Sequence, residues 1–228
     1  MLSDNDYRPY VAIIGDIKGS QQIDDRRDVQ NRLNDVLKNI NEKYDVLIAA
    51  KFMITLGDEF QGLVYEWEMA YDIIEEIQMG MYPQQIRFGI GIGRITTDIN
   101  PEMAIGADGP GYYNARRAIE AVKQSEQKSK TQSSDIRIEI ERDGKSLSTA
   151  LNTIFMLMTL IQRSWSPRQR EIIREFEKED CSQAECAEKL NISQSSVQRS
   201  LINGNYYAYK EAKEAVSKVL KEIGEQSV

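Results

Sequence analysis

The sequence contains no histidine among its 228 residues, which excludes histidine-based triads, histidine general bases and histidine metal ligands. Its two cysteines, Cys181 and Cys186, lie five positions apart and match neither a Cys-x-x-Cys redox motif nor a zinc-binding pattern. We therefore expect both to be reduced thiols in a helical segment.

Long apolar runs are also missing. The longest, 154–161, covers eight residues and includes Thr159, so it is too short to span a bilayer. The first residues are polar and contain no apolar signal core. These absences predict a soluble, cytoplasmic protein with no membrane partner.

An excess of positive charge is absent as well, because the formal net charge is −7. Residues 166–228 are nearly balanced, with ten Lys and Arg against eleven Asp and Glu, so the acidity lies mostly in residues 1–165. The whole chain is therefore not a general nucleic-acid binder. Its length permits one large domain or two ordinary ones.

Two carboxylates stand at the ends of apolar strands. Asp16 closes the stretch 11–17, and Asp58 with Glu59 forms the tip of a predicted β-hairpin over 54–64. We expect Asp16 and Asp58 to meet in space, and Glu59, the next residue along a strand, to point to the opposite face. Such a pair suits Mg²⁺ or Mn²⁺, which are bound through oxygen ligands and substrate phosphates. The alternative is that Asp16 caps a helix and Asp58 only serves the turn.

Hydrophobic periodicity predicts the order β-α-β-β-α-β-α-β-α, which favours an α+β sandwich with a mixed sheet and helices on one face. A doubly wound fold is the alternative, but the hairpin argues against it. The strand over 86–94 alternates Gly with Ile, so one of its faces receives either a closely packed helix or a ligand. Predicted strands are 10–16, 46–54, a return through Val64, 86–94 and 136–140; predicted helices are 24–44, 67–79, 112–123 and 146–164, with an exposed loop over 124–135 and a turn at 143–144.

The C-terminal segment has the spacing of a helix-turn-helix, with a capping box at Ser182 and Glu185 before the first of its two helices. The second helix, 193–201, has an outer face without acidic residues, which favours DNA binding. The alternative is a helical packing unit that binds no DNA. One nearly neutral unit binds DNA weakly, so we expect a homodimer. The candidate DNA-binding residues are Gln194, Ser195, Ser196, Gln198 and Arg199.

Three stretches resemble the catalytic core of class III nucleotidyl cyclases: Asp16–Ser20, Leu56–Phe60 and Arg87–Gly93. The Gly-Asp-Glu-Phe tip is also similar to the diguanylate cyclase motif, and the whole chain resembles the SatD family. The resemblance implies a ferredoxin-like or nucleotidyl cyclase-like sandwich, an active site formed across a dimer, and metal ions held by Asp16 and Asp58 over a triphosphate. It further implies nucleotide contacts by Ile17, Lys18, Gly19, Ser20, Gly57, Arg116 and Arg117.

The sequence departs from the cyclase pattern at two places. Ile54 stands where cyclases carry a purine-reading Lys, and Tyr113 stands where they carry an Asn four residues before the Arg matched by Arg117. Asn114 is one residue out of register, which on a helix is about 100° away. The metal pair is thus retained while base reading and transition-state residues are altered, which fits nucleotide binding better than efficient cyclisation.

The resulting hypothesis is a DNA-binding regulator whose cyclase-like domain binds a nucleotide with Mg²⁺. One alternative is an active nucleotidyl cyclase or another enzyme that uses nucleoside triphosphates, and a second is a degenerate cyclase fold that only dimerises. The predicted domains are a nucleotidyl cyclase-like α+β domain over 1–146, a connecting helix over 147–165 and a helix-turn-helix DNA-binding domain over 166–228.

Overall fold

The computed structural model describes residues 9–20, 25–128, 133–141, 145–178 and 181–226. Contacts divide the chain into two compact units, Met1–Met156 with Val216–Val228, and Leu157–Ala215. The division falls within helices α4 (Ser146–Ser164) and α8 (Tyr206–Gln226), so it does not coincide with the boundaries predicted after 146 and after 165. Within the described residues, no helix is long and apolar enough to cross a membrane.

The first unit is built on a five-stranded mixed sheet with the order β2-β3-β1-β4-β5. Strand β1 runs antiparallel to both β3 and β4, β2 and β3 form the predicted hairpin, and β5 lies parallel to β4. The βαββαβ succession with β1 between β3 and β4 is ferredoxin-like, which confirms the α+β prediction. The strands are β1 Tyr10–Ile17, β2 Ile48–Leu56, β3 Glu59–Val64, β4 Ile86–Gly93 and β5 Ile136–Ile140.

The other helices that accompany this sheet are α1 Arg26–Lys43, α2 Ala70–Met81 and α3 Pro110–Lys128, with short 3-10 turns at Asp45–Leu47 and Trp67–Met69. The loop predicted over 124–135 is wrong for its first part, because α3 continues to Lys128. Residues 129–132 of that loop and the turn predicted at 143–144 lie outside the described residues.

Helix α3 lies directly on the glycine face of β4. A Cβ atom added to Gly91 would stand 2.0 Å from the carbonyl oxygen of Gly111 and 2.1 Å from the amide nitrogen of Ala115. A Cβ on Gly89 would stand 2.2 Å from the carbonyl oxygen of Ala115. Of the two explanations open for the alternating glycines, close helix packing is therefore the one observed.

The opposite face of the sheet is covered as well. Residues Val11, Ile13 and Ile90 alternate in register with those that face α3, and all three are fully buried. Helices α1 and α2 contact each other, and they contact β2 and β4 respectively. The expectation of helices on one face is therefore wrong, because apolar side chains on both faces of the central strands have to be removed from water.

Each outer strand of the sheet is bonded to an asparagine from a helix. The side chain of Asn41 on α1 donates to the carbonyl oxygen of Phe52 at 2.9 Å and accepts from its N–H at 2.8 Å. The side chain of Asn152 on α4 does the same at Ile138, donating at 3.0 Å and accepting at 2.8 Å. Backbone groups on β2 and β5 that have no further strand beside them are thereby satisfied.

The second unit contains α5 Pro167–Phe176, α6 Gln183–Lys189 and α7 Gln194–Asn203. Ser166 and Ser182 begin α5 and α6 with capping boxes, and the one at Ser182 confirms the prediction. The indole Nε1 of Trp165 donates to the carbonyl oxygen of Gly204 at 2.6 Å, which ties the residue before the N-cap of α5 to the C-cap of α7. Buried side chains between the helices form a small core: Ile172, Ile173, Cys186, Ala187, Val197 and Leu201.

Candidate functional site: a charged cleft at the end of β1

A cleft of about 380 Å³ opens where β1 ends beside the β2–β3 turn. Asp16 is the penultimate residue of β1, and Asp58 lies in the turn after Gly57, whose φ of +65° suits glycine. The N–H of Ile17 donates to the carbonyl oxygen of Asp58 at 3.4 Å. Both carboxylates line the cleft, together with Ile17, Gly19, Ser20, Arg87, Lys123, Glu126 and Gln127.

The Asp16 carboxylate is already paired with two cations. In the sheet Asp16 lies opposite Arg87 of β4, so the two side chains share one face. The Arg87 Nη1 atom donates to Oδ2 of Asp16 at 2.6 Å, and the Nζ atom of Lys123 on α3 donates to Oδ1 at 3.0 Å. Both carboxylate oxygens therefore accept charge-assisted hydrogen bonds, and the residue is only 8% exposed.

The ion pairs continue from Arg87 to further residues. The Nε atom of Arg87 donates to Oε2 of Glu126 at 2.7 Å. Lys18 pairs with both Glu126 and Asp135. These contacts join strand, helix and loop into one network of alternating charge, which compensates for the removal of the charges from water.

Glu59 projects to the face opposite to the one expected. It lies directly across from Asp16 in the β1–β3 pair, so the two side chains share the face covered by α3. There Oε2 of Glu59 accepts from Nη1 of Arg116 at 2.6 Å. The prediction that Glu59 points away is wrong because β3 begins at Glu59, and Asp58 belongs to the turn rather than to the strand alternation.

The ion pairs shift the pKa values of Glu126 and Arg116. Burial raises the pKa of Glu126, but hydrogen bonds and charges from Lys18 and Arg87 outweigh it and lower the pKa below its ordinary value. The hydrogen bond to Glu59 raises the pKa of Arg116. Glu126 and Arg116 are therefore stabilised in their charged forms by their neighbours.

Asp58 is a carboxylate of the cleft lining that takes no part in the network of ion pairs. Its side chain is half-buried and makes no hydrogen bond or ion pair with any residue in the parts of the chain that the structure describes. The cleft lining contains three carboxylates, those of Asp16, Asp58 and Glu126, against the two cations of Arg87 and Lys123. One negative charge is thus uncompensated at the cleft.

The donor set does not fit a resident metal ion. Both oxygens of Asp16 are taken by Arg87 and Lys123, which leaves Asp58 as the available carboxylate. Across the described ranges, no three acidic or cysteine side chains are grouped so that they could hold a metal. A cation at this position would have to displace Arg87 and Lys123 from Asp16.

The other predicted nucleotide contacts divide into two groups. Ile17, Gly19 and Ser20 line the cleft with the two Asp residues. Gly57 lies in the turn and accepts at its carbonyl oxygen from Nε2 of Gln30 at 2.7 Å. Three predicted cations do not line the cleft and are paired with other residues: Lys18 with Glu126 and Asp135, Arg116 with Glu59, and Arg117 with Asn114.

Sequence reasoning missed the two cations that do line the cleft, Arg87 and Lys123. A signal for Lys123 was present, because it follows Arg116 by seven residues, about two turns of one helix face. Arg87 could be found only through the β1–β4 register, which places it opposite Asp16. The pairing of β1 with β4 therefore has to be known before Arg87 can be recognised as a neighbour of Asp16.

The residues at and beside the altered cyclase position have structural roles. Asn114 is buried, and its Nδ2 atom donates to the carbonyl oxygen of Ile92 at 2.8 Å, which fastens α3 to β4. Tyr113 is exposed, and its hydroxyl donates to Asp108 at 2.8 Å. Neither side chain lines the cleft.

In the second unit, four of the predicted DNA-binding residues are exposed on α7: Gln194, Ser195, Gln198 and Arg199. Ser196 is half-buried, and its hydroxyl bonds the hydroxyl of the N-cap Ser193 at 2.8 Å. No acidic residue occurs in α7. The exposed side chains can donate and accept hydrogen bonds to bases and phosphates.

The fold and the cleft can now be compared with known proteins. The SatD family model matches residues 10–220, so the chain belongs to the SatD family. No curated protein matches the chain.

Several solved structures are similar to part or all of the chain. One is a guanylyl cyclase domain of the RhoGC fusion protein from the aquatic fungus Blastocladiella emersonii, with 19% identity and a TM-score of 0.38, covering 50% of this chain and 74% of that one. A bacterial light-regulated adenylyl cyclase has 13% identity and a TM-score of 0.38, covering 52% of this chain and 41% of that one. A regulator of polyketide synthase expression from Bifidobacterium adolescentis has 13% identity and a TM-score of 0.31, covering 95% and 86%. These likenesses assign no site or activity to this chain.

Proposed function

We propose that the first unit binds a nucleotide together with Mg²⁺ or Mn²⁺ in the charged cleft, and that the second unit binds DNA, so that the chain is a nucleotide-responsive DNA-binding regulator. The observation that carries the nucleotide proposal is the meeting of Asp16, Asp58, Arg87 and Lys123 around one cleft, beside the Gly19–Ser20 backbone. Carboxylates for a cation and basic side chains for phosphates are thereby placed within one small volume.

In this proposal the cation enters the cleft bound to the nucleotide, and the protein without nucleotide does not hold it. A free polyphosphate would meet a cleft whose lining has one negative charge in excess, whereas its magnesium complex has two fewer negative charges. Asp58 is the first carboxylate available to that complex. Arg87 and Lys123 would exchange Asp16 for phosphate oxygens, which frees Asp16 for the same complex.

Titration calorimetry with each Mg-nucleotide tests the cleft. We expect Asp58→Asn to weaken binding at least tenfold, about 1.4 kcal/mol, because one carboxylate charge is lost. Asp45→Asn is the matched control, since Asp45 is exposed and outside the cleft, and it should leave the affinity unchanged. Equal affinities of wild type and Asp58→Asn, or no binding of any nucleotide by either, would contradict the proposal.

The acid-free, exposed face of α7 carries the DNA proposal. Affinity for a pool of random-sequence duplexes, measured by fluorescence anisotropy at low salt, should fall on Arg199→Ala because a phosphate-binding charge is removed. Lys210→Ala on α8 removes the same charge from another exposed position and is the control. Equal effects of the two substitutions, or no binding by the wild type, would contradict a role for α7.

A homodimer is part of the proposal, because a single weakly charged unit gains affinity when two are linked. Sedimentation measurements with and without DNA test it, and a monomer under both conditions contradicts it.

The enzyme alternative predicts a new product when the chain is incubated with each nucleoside triphosphate and Mg²⁺ or Mn²⁺. The alternative of a degenerate fold predicts that no nucleotide raises the melting temperature.

A further inference from the structure

The two cysteines are brought together at the start of α6. Ser182 is the N-cap of this helix, and its capping box with Glu185 is formed. Cys181 therefore occupies the position before the N-cap, and Cys186 the fourth position of the helix. Side chains at these two positions pack against each other when a capping box sets the entry angle of the chain, as in a hydrophobic staple.

The two thiols differ in accessibility. Cys181 is half-exposed, whereas Cys186 is fully buried and its Sγ–H points to the carbonyl oxygen of Ile172 at 3.7 Å. Burial raises the pKa of the Cys186 thiol, and the neighbouring Cys181 thiol raises it further. Cys186 is therefore a buried, neutral thiol with Cys181 as a neighbour.

Cys181 also has a cation beside it. Interaction with Cys181 is the main cause that raises the pKa of Lys189, so the two groups are electrostatic neighbours. Lys189 is held in place by Oε1 of Glu175 at 3.4 Å. An accessible thiol beside a cation, with a second thiol in reach, is the arrangement found at oxidation-sensitive cysteines.

We propose that Cys181 and Cys186 form a reversible thiol–disulfide pair in which Cys181 is oxidised first and Cys186 resolves it. With hydrogen peroxide as the oxidant, the Cys181 sulfur attacks one peroxide oxygen and the O–O bond breaks, which gives a sulfenic acid. The thiol proton leaves with the other oxygen as water. As the Cys186 sulfur then attacks the Cys181 sulfur, the Cys186 thiol proton passes to the departing hydroxyl, the S–O bond breaks, and a second water leaves. Two electrons pass from the two sulfurs to peroxide, and a dithiol reductant returns them.

The disulfide would change the second unit locally, at the start of α6. It links the residue before the N-cap to the first turn of α6, and it removes the S–H that Cys186 directs to Ile172 of α5. Helix α6 packs on α7, so the thiol pair lies one helix away from the proposed DNA-binding face. The proposal itself does not depend on DNA binding, because the bond is measured directly.

The full chain is treated with hydrogen peroxide and digested for mass spectrometry, with free thiols counted in parallel. We expect both thiols to disappear together, a peptide pair linked through Cys181 and Cys186, the loss of two hydrogen atoms from the intact mass, and recovery with dithiothreitol. In Cys186→Ser a sulfenic acid should persist at Cys181 and be trapped by dimedone, and in Cys181→Ser the buried Cys186 should stay unmodified.

Three outcomes would overturn the inference: disulfides that link different chains, independent oxidation of the two cysteines, or thiols that both survive peroxide that oxidises glutathione under the same conditions. The measurement on the wild type does not depend on the variants, so the inference is tested even when a variant fails to fold. Circular dichroism of each variant establishes whether it folds before its thiols are counted.

Discussion

Arg87 and Asp16 lie opposite each other on adjacent strands, and their side chains are joined by a hydrogen bond of 2.6 Å. The carboxylate that a cyclase-like motif would offer to a metal is therefore the centre of an ion-pair network in this chain. Lys123, on helix α3, donates a hydrogen bond to the second carboxylate oxygen of Asp16. A ligand that contacted the Asp16 carboxylate would consequently have to displace Arg87 or Lys123 from it.

Replacing Arg87 by Met tests how strongly this network supports the fold. The substitution leaves Asp16 with one partner and removes a partner from Glu126, and both groups are largely shielded from water. We expect Arg87→Met to lower the free energy of unfolding by about 3 kcal/mol, measured by urea denaturation.

The matched control is Arg137→Met on β5, where Arg137 pairs with Glu139 at a more exposed position. Exposed ion pairs contribute little, so this variant should lose less than about 1 kcal/mol. Equal losses in the two variants would show that the buried network contributes no more than a surface pair.

The lowered pKa of Glu126 makes stability depend on pH in the acid range. Because the pKa is lower in the folded chain than its ordinary value of 4.5, the contribution of Glu126 is present above the unfolded value and is lost as the pH falls through the folded one. Between neutral pH and pH values below 4.5, the wild type should lose more stability than Glu126→Gln. Chemical denaturation at a series of pH values measures this, and parallel curves for the two proteins would refute it.

Gly91 is required for α3 to lie on β4. In Gly91→Ala the new Cβ meets backbone atoms at 2.0 and 2.1 Å, which no side-chain movement can relieve, so we expect the first unit to lose its cooperative thermal transition. Gly224→Ala in α8 is the control, because its nearest neighbour is at 3.4 Å and alanine favours a helix. A native-like melting curve for Gly91→Ala would show that α3 can move away from the sheet.

The two asparagines on the outer strands predict matched losses of stability. Asn41→Leu and Asn152→Leu each remove two hydrogen bonds to the backbone of a strand. At about 1 kcal/mol for each bond, we expect the free energy of unfolding to fall by about 2 kcal/mol in each variant. Asn39→Leu, at an exposed position of α1, should change it by less than about 0.5 kcal/mol, and similar values for all three variants would contradict the assignment.

The fold could be predicted well from the sequence because hydrophobic period and turn residues are local signals. The hairpin tip at Gly57 and Asp58, the strand ending in Asp16 and the capping box at Ser182 all appear in the structure. The site could be predicted only in part. Ion pairing decides which cations face the cleft, and Arg87 becomes a neighbour of Asp16 only through strand register, which composition and spacing do not contain.

The length of α3 shows the same limit at a smaller scale. The polar stretch after Lys123 has the composition of a loop, yet α3 continues through Glu126 to Lys128 because Glu126 is held by Arg87 and Lys18. A tertiary ion pair therefore overrides the local preference of a polar sequence.

The asparagines at Phe52 and Ile138 also limit how copies of this chain can associate. An incoming strand at either position would have to displace a side-chain amide that already makes two hydrogen bonds to the backbone. Sheet extension from one copy to the next, the usual route to uncontrolled polymerisation of exposed strands, is therefore disfavoured at both positions. The proposed homodimer would then have to form through other surfaces of the chain, such as those of its helices and loops.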